Sequence, residues 1–158
     1  WAKNAGATVF ATAGSDEKCD KALELGASNA MNNREGELAE WARGLTQGAG
    51  VDMVMDCVGT ALFGASLFAI GVHGRLVTCG NASGDEATIP SLGYLFHSGI
   101  SIIGSDPYEP SEFGPVWEEF CSGDYQVEID STYPLEAAGE AQEKMLSGDF
   151  FGKIILTP

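Results

Sequence analysis

The 158 residues, 44 % of them hydrophobic, suffice for one compact domain with a sizeable core. Twenty-three acidic residues against eight basic ones give a formal net charge of -15, spread along the chain. A nucleic-acid partner is thereby excluded, because a polyanion is repelled and no basic patch exists to release its counterions.

No apolar run approaches the roughly 20 residues of a membrane span. The opening Trp-Ala-Lys-Asn-Ala-Gly has neither the basic region nor the apolar stretch of a signal peptide. The expectation is a cytoplasmic protein with a solvated acidic surface. Cys19, Cys57, Cys79 and Cys121 form no Cys-x-x-Cys pair, and only His73 and His97 offer imidazoles, so no structural zinc motif is present. Cys57 and Cys79 lie in apolar runs and read as small, buried, reduced residues.

In chain order, residues 7–13 are rich in β-branched and aromatic side chains and end at Gly14, which predicts a buried strand. Ser15, Asp16 and Glu17 start a helix with Cys19, Ala22 and Leu23 on its apolar stripe, stopping at Gly26. The unit recurs as a short strand at 29–31, then a helix with Leu38, Trp41, Ala42 and Leu45 on one face, ending at Gly48. Residues 51–56 predict a strand, followed by a helix carrying Leu62, Phe63, Leu67 and Ile70 and closed by Gly71. His73 reads as a helix-to-strand turn residue, 74–80 as a strand, 81–86 as a loop, 90–97 as a short helix and 100–105 as the next strand. His97 stands beside the Tyr94-Leu95-Phe96 cluster, exposed or within an interface.

After a loop at 107–110 come a helix with Phe113, Val116, Trp117 and Phe120, a strand at 127–133, a helix at 136–146 and a final strand at 152–157. Regular βα alternation with short connections implies an α/β, doubly wound parallel sheet, because each parallel crossover must be long and right-handed. In such a sheet ligands lie beyond the C-terminal strand ends, where Asp56-Cys57-Val58-Gly59 and Gly80-Asn81-Ala82-Ser83-Gly84 fall. Glycine after a strand is equally explained by a turn. Asp56 fits ordering of a turn or cofactor better than acid/base catalysis, and no nucleophile–base pair is evident.

Several segments occur in order: Ala-Gly-Ala-Thr-Val (5–9), Glu-Leu-Gly-Ala (24–27), Gly-Val-Asp-Met-Val-Met-Asp-Cys-Val-Gly (50–59) and Gly-Arg-Leu-Val (74–77). Ile-Ile-Gly-Ser (102–105), Tyr-Pro-Leu-Glu-Ala-Ala (133–138) and Phe-Gly-Lys-Ile-Ile-Leu (151–156) continue the series. Together they resemble the medium-chain dehydrogenase/reductase family, especially its quinone-reductase and zinc-binding-dehydrogenase-like branch, over essentially the whole chain.

That resemblance implies an N-terminally truncated Rossmann domain over residues 1–158, with 127–158 leading back towards a catalytic domain. The first strand and the glycine-rich pyrophosphate turn are expected upstream of Trp1, with residues 1–4 ending the helix that follows that turn. It further implies NADP, with NAD as the alternative. At the end of the strand over 7–13, where an NAD enzyme usually carries an acid, this chain has Ala13, followed by Gly14, Ser15 and Lys18. Lys18 is otherwise a solvated helix lysine. Asn33 and Arg34 stand where the family often has Tyr-Arg near the adenosine, although Asn33 equally suits a helix N-cap.

By the same resemblance Cys57, Val58 and Gly59 would line the ribose, Gly80, Asn81 and Ala82 would approach the nicotinamide, and backbone at Ile103, Gly104 and Ser105 would meet its carboxamide. Any zinc would be bound outside this chain, and a homodimer would form through the edge strand 100–104.

The implied activity is hydride transfer between NADPH and a carbonyl, quinone or activated alkene, a small-molecule substrate. The alternatives are the cofactor domain of a zinc-dependent alcohol dehydrogenase and, in another class, a catalytically silent dimerisation or nucleotide-binding module. With the central strand absent, the sheet is expected to close up, recruit another segment or borrow a strand.

Overall fold

The computed structural model describes residues 1–105, 108–123 and 125–158; Asp106, and Pro107 of the loop expected at 107–110, lie outside the described residues. Two compact units are present, one spanning Ala2–Pro110 and the other comprising Ser111–Pro158 together with Trp1.

The first unit alternates β1 (Phe10–Ala13), α1 (Asp16–Glu24), β2 (Asn29–Asn32), α2 (Leu38–Leu45), β3 (Val51–Asp56), α3 (Phe63–Ala69), β4 (Ile70–Thr78), α4 (Leu92–Ser98) and β5 (Ser101–Gly104). Every strand pairing is parallel, β1 with β2 and, in a second sheet, β3 with β4 and β4 with β5. A helix spans each of these crossovers, as parallel pairing demands. The α/β class and its parallel strands are those read from the glycine-punctuated pattern.

The core of this unit is Leu67, Ile70, Leu76 and Ile100, with Val51, Val54, Phe63, Tyr94 and Leu95 packed around it. Side chains buried this way contribute about 1.5–3 kcal/mol each. Ser15 caps α1 by accepting the Lys18 amide, and Ser91 caps α4 by accepting the Tyr94 amide. Arg43 fastens the end of α2 to its neighbours. Its Nε donates to Phe68 O at 2.8 Å, Nη1 to Gly48 O at 2.7 Å, and Nη2 to Ile70 O at 2.9 Å and Tyr94 Oη at 2.5 Å. Trp41 of α2 meets Phe10 of β1 edge-on at 5.9 Å.

Several local expectations are corrected. β1 starts at Phe10 rather than at residue 7, and Leu23 of α1 is exposed. The N-cap of α2 is Glu37, so Asn33 does not cap that helix. Ile70 and Gly71 belong to β4, which starts there and not at Gly74; His73 lies within it at φ 61°, where the register against β3 shifts. Both glycines leave room for this irregularity, and an apolar run does not by itself distinguish a helix end from a strand start.

His97 is exposed and lies against Phe96 with ring centroids 4.2 Å apart and the rings tilted by 39°. Among the described residues β1 pairs only with β2, and β3 only with β4. The sheet therefore neither closes nor recruits another segment. Arg43 holds α2 against α3 and the start of β4.

In the second unit, α5 (Pro110–Ser122) is followed by β6 (Ile129–Pro134), a 3-10 turn (Leu135–Ala137), α6 (Ala138–Ser147) and β7 (Lys153–Thr157), with β6 and β7 parallel. Phe113, Trp117, Phe120, Tyr125 and Trp1 form a stacked row with successive centroids 4.2–6.1 Å apart. Asp130 on β6 accepts the Phe151 amide at 3.1 Å and pairs with Lys144 of α6 at 2.5 Å, closing the β6–α6–β7 unit. The Lys144 ammonium and that amide hold its carboxyl at about 2.

A folded-state pKa depressed below the unfolded carboxylate value of about 3.9 gives stability that is present above that value and lost as pH falls towards 2. Asp130→Asn should therefore be destabilising at neutral pH, and its deficit against the parent should shrink as pH falls from 4 to 2 in chemical-denaturation midpoints. A deficit constant over that range would contradict the assignment.

Candidate functional site

The residues singled out from sequence collect at C-terminal strand ends, in two clusters within the first unit. The first is built by the register of β1 and β2. Ala13 pairs with Asn32, so the residues that follow each strand, Gly14 and Asn33-Arg34, emerge side by side. The Asn33 amide donates to Ala13 O at 2.8 Å, and the Arg34 amide donates to Asn32 Oδ1 at 3.1 Å.

Arg34 folds back over Gly14: a β-carbon placed on that glycine would lie 3.4 Å from Arg34 Nε and 3.5 Å from Nη2. Ser15 and Lys18 follow in the first turn of α1, whose free amides carry a partial positive charge. Asp16 lies in the same turn, and its Oδ1 is engaged by Asn32 Nδ2 at 3.0 Å.

The second cluster is a seam between the loops after β3 and β4. Asp56, 3 % exposed, accepts the Val58 amide at 2.8 Å and the Gly59 amide at 3.1 Å on Oδ1. Asp56 therefore orders a turn, as read from its place at a strand end. Across the seam the Ala82 amide donates to Cys57 O at 3.2 Å and the Ser83 amide to Val58 O at 2.8 Å. Ser83 Oγ donates to Val58 O at 2.7 Å and accepts the Ala61 amide at 2.9 Å. Asn81 Nδ2 donates to Asp85 Oδ1.

Gly59 has φ 79°, and its missing β-carbon would stand 2.6 Å from Gly84 O; the β-carbon missing from Gly80 would stand 3.0 Å from Cys57 O. The two loops touch backbone to backbone because both positions are glycine. Ile103 and Gly104 lie on the outer strand β5, and the Ser105 amide donates to Thr78 O at 2.9 Å.

One expectation fails in this seam. Cys57 is exposed, because it is the first residue past β3, where the chain leaves the sheet. Cys79 is half-buried, and only Cys19 is buried, its thiol pushed up by that burial. Sequence reasoning also left Ser83 and Thr60 out of the site. Thr60 Oγ1 donates to Glu86 O at 2.6 Å, and its amide donates to Gly84 O at 3.3 Å. A serine between Gly80 and Gly84 was the available signal.

A groove of about 510 Å³, lined by Asp16, Met31, Asn32, Glu35, Glu37, Glu40 and Trp41 among others, contains none of the anticipated residues. Its carboxylates would repel a phosphate, so it is not the seat of an anionic ligand.

Parallel strands with glycine-bearing loops at their C-terminal ends define a Rossmann-type cofactor platform. The family model described as zinc-binding dehydrogenase matches residues 1–122, and the chain belongs to this family, within the medium-chain dehydrogenase/reductases. A quinone oxidoreductase of Salmonella typhimurium is 38 % identical over 170 residues, covering 100 % of this chain and 51 % of that protein. Quinone oxidoreductase-like protein 2 of Bos taurus is 32 % identical, with 96 % and 46 % covered.

Among solved structures, an NAD-dependent alcohol dehydrogenase superposes with a TM-score of 0.90 at 34 % identity, covering 99 % of this chain and 46 % of that one. Escherichia coli quinone oxidoreductase complexed with NADPH superposes at 0.84 with 30 % identity, covering 100 % and 52 %. The chain spans about half the length of the curated relatives it matches.

Proposed function

We propose that this chain is the cofactor-binding part of an NADPH-dependent oxidoreductase that transfers hydride to or from a carbonyl, quinone or activated alkene. The observation that carries the reading is the Arg34 guanidinium lying over Gly14 at the end of β1, beside the Ser15-capped start of α1. A planar guanidinium binds phosphate oxygens bidentately, and Ala13 presents no carboxylate to repel a 2′-phosphate.

The residues fit such a group, since Gly14 leaves room for the Arg34 guanidinium at the end of β1, and Gly59 and Gly80 let the loops after β3 and β4 close into one backbone seam at the strand ends. Arg34, Ser15 and Lys18 would hold the adenosine phosphate. Cys57, Val58 and Gly59 would face the ribose, and Gly80, Asn81 and Ala82 would approach the nicotinamide, with Ile103, Gly104 and Ser105 at its carboxamide. The nicotinamide, when bound, supplies the hydride. The chain contributes orientation: Asp56 and Ser83 fix the seam, and glycines at 59 and 80 bring its backbone close.

The parent activity and substrate belong to this proposal, as do the return of residues 127–158 towards a catalytic domain and any zinc being held outside this chain. Pairing of two copies through β5 is part of it too. That strand borders its sheet and exposes Ile102 and Ile103. Light scattering over a concentration series reads the pairing, and a monomer throughout would contradict it. The 0.90 superposition on an NAD-dependent alcohol dehydrogenase favours a second reading, the cofactor domain of such an enzyme.

Nucleotide fluorescence distinguishes the two. Lys18→Ala and Arg34→Ala should each weaken NADPH more than NADH. Arg34→Ala should do so by about tenfold or more, the loss of one charge-assisted contact of about 1.5–3 kcal/mol. Equal losses for both nucleotides would reject the phosphate assignment in favour of the second reading.

A further inference from the structure

We propose that Cys57 and Cys79 form an oxidant-responsive dithiol site, closing as a disulfide across the ends of β3 and β4. The last register pair between these strands is Asp56 with Thr78, so the two cysteines are the first residues past the ends of adjacent parallel strands. The Cys79 amide donates to Asp56 O at 2.9 Å, and Cys79 Sγ contacts the same carbonyl at 3.6 Å, so the thiol lies across the seam against the peptide unit that joins Asp56 to Cys57. Neighbouring strands lie about 4.8 Å apart, inside the Cα separation of about 4.4–6.8 Å that a disulfide spans.

Gly80 keeps the flank open, since a β-carbon there would sit 3.4 Å from Cys57 Cβ. Exposure divides the roles. Cys57 is exposed and meets the oxidant, while Cys79 is half-buried beside it and resolves the intermediate.

With hydrogen peroxide as oxidant, the Cys57 thiolate attacks one peroxide oxygen. An S–O bond forms, the O–O bond breaks, and the departing hydroxide takes up the thiol proton as water. Cys79 Sγ then attacks the Cys57 sulfur: the S–S bond forms, the S–O bond breaks, and the hydroxyl leaves as a second water with the Cys79 proton. The two sulfurs lose two electrons in all and the peroxide oxygens gain them.

The test uses the unaltered 158-residue chain, treated with peroxide under native conditions, alkylated, digested and mapped by mass spectrometry. The expected result is a monomer carrying a Cys57–Cys79 cross-linked peptide, with two alkylatable thiols lost and both restored by dithiothreitol. Cys79→Ser should instead stop at a dimedone-trapped sulfenic acid on Cys57. Over-oxidation of Cys57 with Cys79 still alkylatable, or cross-links running to Cys121, would overturn the proposal.

Only one arm rests on the cofactor reading: bound NADPH should slow the oxidation by covering Cys57. A disulfide that forms equally fast with and without NADPH would contradict that seat while leaving the dithiol site standing.

Discussion

Gly59→Ala is expected to destabilise the first unit by about 2–4 kcal/mol, through strain at positive φ together with a backbone collision. The residue sits at φ 79°, and the added methyl would stand 2.6 Å from Gly84 O and 3.1 Å from Asn81 Cα. Neither obstacle is the movable end of a side chain, so relief requires the loops after β3 and β4 to part. Parting them breaks the Ser83–Val58 and Thr60–Gly84 bonds.

A matched control makes the comparison sharp. Gly44 in α2 has no atom within 4 Å of its missing β-carbon and no positive φ. Gly44→Ala should therefore stabilise by about 0.5–1 kcal/mol through helix propensity. Urea midpoints read both. A Gly59→Ala change within about 0.5 kcal/mol of the parent, the range of ordinary surface substitutions, would show that the seam is not closed as described.

The second large effect is at Arg43, where replacement by Met should cost about 2–4 kcal/mol through loss of charge-assisted hydrogen bonds. The guanidinium reaches Gly48 O, Phe68 O, Ile70 O and Tyr94 Oη at once, and only a planar fork does so. Met keeps the aliphatic stem and leaves the Gly48 and Phe68 carbonyls without this donor. Tyr94 still donates to Ile70 O at 2.7 Å, so that carbonyl keeps one partner. Arg43→Lys should recover only a minor part, since one ammonium cannot span the same acceptors. Full recovery by Lys would mean that charge, not the fork, holds α2 to α3.

The order of strands and helices was readable because glycine and serine mark element ends: Gly14 after β1, Ser15 at the cap of α1, Gly26 after α1 and Gly48 after α2. Where such marks mislead, boundaries slipped. Asn33 is the one usual capping side chain in residues 33–37, yet α2 starts only at Leu38, after Glu37, whose side chain caps nothing. At 70–74 two glycines interrupt an apolar run, and β4 begins four residues before the predicted strand.

The site was visible as a set of strand-end residues but not as contacts. Arg34 over Gly14 depends on the pairing of Ala13 with Asn32, which no local pattern encodes. The exposure of Cys57 was misjudged for a similar reason: an apolar neighbourhood in sequence does not say where the chain leaves its sheet. Arg43 gave no signal, because its four acceptors are distributed among Gly48, Phe68, Ile70 and Tyr94.

The most direct test of the platform is an amide-shift titration of the chain with adenosine 2′-monophosphate and, separately, with adenosine 5′-monophosphate. The 2′-phosphate should move Gly14, Ser15, Asn33 and Arg34 selectively, leaving the acidic groove around Glu37 and Trp41 unchanged. No shift at those four residues, or the same shifts with both nucleotides, would contradict a phosphate seat at the end of β1.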